Sequence, residues 1–93
     1  MMVTEHCLAR GRERFGLTGV EVIKNLVRRS RKRFWVMDRP HSMAGDQEMT
    51  RKEIVVDDQR RAWFVVWNHT VQTVLTEEMA TNALKRGKWT KCA

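Results

Sequence analysis

Arg61-Ala62-Trp63-Phe64-Val65-Val66-Trp67 is the stretch on which the fold turns. Aromatic and β-branched residues fill it, as strands prefer. Alternation puts Trp63, Val65 and Trp67 on one face and Ala62, Phe64 and Val66 on the other. Both faces are apolar, so the strand is expected to be central and covered on both sides, or to offer one face to a partner. At six residues, Ala62 to Trp67 is also the longest unbroken apolar run. A membrane-spanning helix needs roughly 18.

Working outward, Asp57-Asp58-Gln59-Arg60 reads as the turn before this strand and Asn68-His69 as a tight connection after it. Strands are expected over Lys52–Val56 and Thr70–Leu75, which completes an antiparallel meander. Phe34-Trp35-Val36-Met37 is a fourth strand, ending at Asp38-Arg39-Pro40. His41 to Met49 reads as a mobile surface loop, whose methionines would offer an adaptable contact surface.

The N-terminal third has helical periodicity. Val3, Cys7, Gly11 and Phe15, with Leu8, share a face over residues 4–15, and Gly16 is a stop. Thr18-Gly19-Val20-Glu21 has the pattern of a capping box, and Val20, Ile23, Leu26 and Val27 form the stripe of a second helix from Gly19 to Arg29. Thr76-Glu77-Glu78 opens a last short helix that stops at Gly87.

The expected class is α+β: two N-terminal helices packed on a four-stranded antiparallel sheet, then a short C-terminal helix, with the helices on one face of the sheet. With 93 residues the chain makes one domain. Residues 1–87 are assigned to it and 88–93 to a flexible basic tail, with Trp89 either tucked back or free for contact. Met1 to His6 has no basic-then-apolar pattern of a leader peptide, so a cytoplasmic protein is expected.

The net charge is +7 and arginine outnumbers lysine. Residues 1–33 hold nine basic and three acidic side chains, so the excess is concentrated at one end. That is the footprint of a polyanionic partner, nucleic acid first, and arginine suits bidentate phosphate contacts. Arg28, Arg29, Arg31, Lys32 and Arg33, with Arg39, are the candidate phosphate-tracking residues. Packing that run against the first helix would join all the basic side chains into one surface. Trp35, Trp63 and Trp67 are read as core, with base stacking as the functional alternative.

Cys7 is read as a core residue. Cys92 falls in the expected tail, and His6, His41 and His69 are scattered. Neither a disulfide framework nor a zinc site follows. No phosphate-binding glycine loop or nucleophile elbow is present, so no cofactor is expected and NTPase and α/β-hydrolase functions are set aside.

His6, Arg10 and Arg14 are spaced four apart and make one ridge on the first helix. An imidazole beside two guanidiniums can move a proton and hold phosphate oxygens that gain charge in a transition state. The alternative is a solvated helix ridge.

His6-x-x-x-Arg10-x-x-x-Arg14-Phe15-Gly16-Leu17-Thr18, together with Val71-Gln72-Thr73-Val74-Leu75-Thr76, resembles small RelE-like and colicin D-like members of the barnase–EndoU–colicin–RelE ribonuclease fold. The resemblance spans residues 6–76. It implies helices followed by an antiparallel sheet, and metal-independent cleavage of RNA. It also implies His6 as the acid/base, Arg10 and Arg14 on phosphate, and Thr76 as a site hydroxyl. A strand-borne cation is implied too, with Arg33, Arg39, Lys52 and Arg61 all candidates. There is no tyrosine to match the C-terminal one of some RelE-type toxins. A second reading is a small non-enzymatic regulator or inhibitor, of the kind phages encode. It would bind a host protein or its nucleic-acid complex through the basic end.

Overall fold

A computed structural model describes residues 1–39 and 49–92. Apart from Met49, the loop read over His41–Met49 lies outside the described residues. The order is β1 (Met2–Val3), α1 (Glu5–Phe15), α2 (Val20–Arg29), β2 (Lys32–Asp38), β3 (Thr50–Asp57), β4 (Ala62–Trp67), β5 (Thr70–Thr76), α3 (Glu77–Lys85) and β6 (Trp89–Lys91). The class is α+β.

The sheet has six strands in the order β1-β5-β4-β3-β2-β6. β2 to β5 form the expected antiparallel meander. Two short strands extend it. β1 runs parallel to β5, and β6 runs antiparallel to β2, so the sheet is mixed. β4 lies inside it, as its two apolar faces require. The Asn68-His69 turn has positive φ at both residues, +52° and +58°, the backbone of a two-residue hairpin that matches strand twist.

Each face of the sheet carries its own core. Val55, Ala62, Phe64, Val71 and Val74 pack under Cys7 of α1 and Ile23, Leu26 and Val27 of α2. The alternate residues Val36, Ile54, Val56, Trp63 and Val65 pack under Ala80 and Ala83 of α3 and under Trp89. The expectation that the helices share one face is not met: α3 covers the opposite side.

Residues 88–93 are not a flexible tail over Trp89–Lys91. Trp89 is 3% exposed in the α3-side core, and Val36, Met37 and Asp38 pair with Lys91, Thr90 and Trp89. Burial of the indole offsets the ordering of this short segment.

Local signals mostly hold. Thr4 caps α1, its Oγ1 accepting the Cys7 amide at 3.0 Å, and Gly16 ends the helix in the left-handed conformation at φ +65°. A Cβ on Gly11 would meet the Ile23 and Leu17 side chains at 3.4–3.5 Å, ordinary packing contact. The capping box does not form. α2 starts after Gly19 with no side-chain cap.

Trp63 is core, but Trp35 and Trp67 are 43% and 45% exposed. Arg51 lies over the Trp35 ring at 4.6 Å. Cys7 is buried, and burial pushes its thiol up to about 11, so it is a neutral packing group at physiological pH. Among the described residues no helix is long and apolar enough to cross a membrane.

Candidate functional site

β1 covers only the first two residues of β5, so the rest of that edge has to be satisfied by other groups. α1 and its cap do this. The Thr4 amide donates to Val71 O at 3.1 Å, Thr4 Oγ1 to Gln72 O at 2.7 Å, and Arg14 Nη1 to Val74 O at 2.7 Å. These bonds fix α1 along the edge of β5 at both its ends. The ridge His6, Arg10 and Arg14 then borders a cleft of about 380 Å³, large enough for a small ligand.

The opposite wall and floor come from distant segments. Lys52 of β3, Asp38 at the end of β2, Thr73 of β5 and Lys88 before β6 all line the same cleft. Asp38 is 9% exposed and sits between two ammonium groups, Lys52 Nζ at 2.7 Å and Lys88 Nζ at 2.9 Å. A buried carboxylate needs such partners. Two cations on one anion leave the floor positive, and Arg10 and Arg14 add to it.

Arg10 also pairs with Glu13 at 2.7 Å. That exposed i,i+3 contact is weak, on the order of a few tenths of a kcal/mol, and a phosphate can displace it.

β5 carries a bulge here. Val65 pairs with Thr73 and Val66 with Val71, which leaves Gln72 as the extra residue. The bulge lets both Val71 and Val74 face the α1/α2 core while Thr73 turns to the cleft. Thr73 Oγ1 is buried and has no hydrogen-bond partner among the described residues. Such an atom is costly to leave unpaired.

Three of the four candidate catalytic residues thus converge. Thr76 does not. Its Oγ1 accepts the Met79 amide at 3.2 Å and caps α3, so the hydroxyl is in use beyond the cleft wall. Thr73 is the hydroxyl the cleft contains.

Of the four candidate strand-borne cations, Lys52 is the one that lines the cleft. Arg61 pairs with Glu77 at 3.7 Å, at the other end of β4. Arg33 donates to Val27 O and, at 3.1 Å, to Ser30 O, satisfying carbonyls at the α2 C-terminus, and it meets Glu53 at 3.4 Å. It is therefore tied up and not a free phosphate contact. The Arg39 side chain is exposed, while its carbonyl accepts from Lys88 Nζ at 3.2 Å.

Arg28, Arg29, Arg31 and Lys32 are exposed beside the β3–β4 turn, whose Asp58 meets Lys32 at 3.8 Å. This run opens β2, whereas the cleft lies at Asp38, where β2 ends. Six strand steps, about 20 Å, separate them. The basic run and the His–Arg ridge are two surfaces, not the single one that close packing would have made.

Nothing in the local pattern marks Lys88, Asp38 or Thr73 as site residues. Lys52 was visible as one of four alternatives.

Compared with protein families, characterised proteins and solved structures, the chain matches none.

Proposed function

We propose that this chain binds RNA in the α1–β5 cleft and cleaves it as a metal-independent endoribonuclease of RelE-like or colicin D-like type. The observation that carries the reading is the convergence of His6, Arg10 and Arg14 with Lys52 and Lys88 around one cleft. His6 is exposed at the mouth, where it can meet a ribose hydroxyl.

The chemistry is balanced without another reagent. His6 takes the proton of a 2′-hydroxyl, whose oxygen bonds to phosphorus as the P–O5′ bond breaks. The products are a 2′,3′-cyclic phosphate and a 5′-hydroxyl; the 5′-oxygen takes its proton from solvent water, and the hydroxide so formed takes the proton held on His6, which restores the water and the neutral imidazole. Arg10, the lysines and the N–H groups of Arg14 other than the Nη1 donor to Val74 O stabilise the charge that builds on the phosphoryl oxygens. On this reading the chain works in the cytoplasm, on transfer or messenger RNA, and Arg28, Arg29, Arg31 and Lys32 extend the phosphate track.

The test is incubation of purified tRNA and total RNA with the protein in EDTA, followed by analysis of fragment ends. Defined fragments bearing 2′,3′-cyclic phosphate are expected. A single 2′-deoxy nucleotide at a mapped cut should abolish that cut. Intact RNA throughout the series rejects the enzyme reading.

A further inference from the structure

We infer that Trp67 is a stacking platform for one unpaired base, so that the ligand of the cleft is single-stranded RNA. This rests on the reading of the cleft as an RNA site and adds the form of RNA it takes.

The face is fixed by the strand. Val66 packs against the α1/α2 core, and Val65 lines the cleft on the other side. Alternation therefore turns Trp67 to the cleft side. Across the sheet, Glu53 pairs with Val66 in the antiparallel β3–β4 ladder. The preceding residue, Lys52, stands level with Trp67, with Cα atoms about 5 Å apart. Lys52 is itself a cleft cation. A nucleotide whose phosphate lies on Lys52 has its base within reach of the Trp67 indole.

The ring is also accessible and well held. It is 45% exposed, although strand-borne tryptophans usually fill a core. Trp35, the other exposed tryptophan, lies under Arg51 on the opposite face. No aromatic ring or cation stacks on Trp67 among the described residues. Its backbone pairs with Thr70 across the two-residue Asn68-His69 hairpin, which fixes the strand position from which the indole projects. An open aromatic face beside a row of cations is how single-stranded nucleic acid is held without sequence readout. Bases in a duplex are stacked on one another and cannot use it.

The experiment is fluorescence anisotropy with a short 2′-O-methyl oligonucleotide, which cannot be cleaved, as a single strand and as a blunt duplex with its full complement. Wild type, Trp67→Ala, Trp67→Phe, Trp35→Ala and the Arg10→Ala/Arg14→Ala double variant are compared, with circular dichroism to confirm folding. Wild type should prefer the single strand. Trp67→Ala should weaken that binding roughly tenfold or more and leave the duplex unchanged, given the usual strength of base–aromatic stacking. Trp67→Phe should keep part of the affinity, and Trp35→Ala all of it.

If Trp67→Ala binds like wild type while the arginine variant loses affinity, the platform is overturned and the RNA cleft stands. If Trp67→Ala loses equally on both ligands, the single-strand assignment is overturned. If wild type binds neither ligand, the reading of the cleft falls and the platform with it.

Discussion

His6→Ala is expected to keep its fold and to lose RNA cleavage by between about a hundredfold and ten-thousandfold, the usual worth of a positioned proton-transfer group. The side chain is exposed in the first turn of α1 and no described contact depends on it, so stability should move by less than about 0.5 kcal/mol. Alanine also suits a helix better than histidine. The control is His69→Asn. His69 is exposed at φ +58° in the β4–β5 hairpin, outside the cleft, and asparagine tolerates that backbone. It should cleave like wild type. Initial rates on one tRNA in EDTA, with thermal melts of all three proteins, separate a lost catalytic group from a lost fold. Equal rates for wild type and His6→Ala would remove His6 from the chemistry.

Trp89→Ala is expected to cost about 3–5 kcal/mol, as large-to-small changes at buried aromatics do. The indole is part of the α3-side core with Ala80, Ala83, Val36 and Ile54, and its strand pairs with β2 at the sheet edge. For a domain of this size the melting temperature should fall by roughly 12 °C or more. Urea denaturation gives the free energy directly. A flexible tail would leave stability within about 0.5 kcal/mol, because nothing would be lost from the core. Small domains are held by only about 5–15 kcal/mol, so this one side chain in a terminal segment carries a large share.

That tail shows where reading from sequence stops. β6 is three residues, Trp89-Thr90-Lys91, and β1 is two, Met2-Val3. Neither is long enough for alternation to register, and both are strands only because a longer strand offers them an edge. β4 was legible because both of its faces are apolar over six residues. The opposite placement of α3 follows from the same fact, since β4's second face needed a cover. The capping box at Thr18 and Glu21 misled because Gly19 starts α2 without a side-chain cap.

Within the site, a single helix determines the His6, Arg10 and Arg14 ridge, so spacing of four was enough to find it. Lys52, Asp38 and Lys88 meet only because β2, β3 and the segment before β6 come together in space. No local pattern encodes that. Thr76 carried two readings, as a helix cap and as a site hydroxyl. The cap took it, since one hydroxyl oxygen cannot be aimed both at the Met79 amide and into the cleft. Thr73 owes its place to the bulge at Gln72, which has no glycine or other signature in the sequence.

Whether RNA is held in the α1–β5 cleft is decided by amide chemical-shift mapping with the non-cleavable single strand. Shifts are expected to concentrate at His6, Arg10, Arg14, Lys52, Thr73 and Lys88. Weaker changes should reach Arg28 to Lys32 only as longer oligonucleotides are added. Shifts confined to Arg28–Lys32, or an unchanged spectrum at saturating RNA, would contradict binding in the cleft.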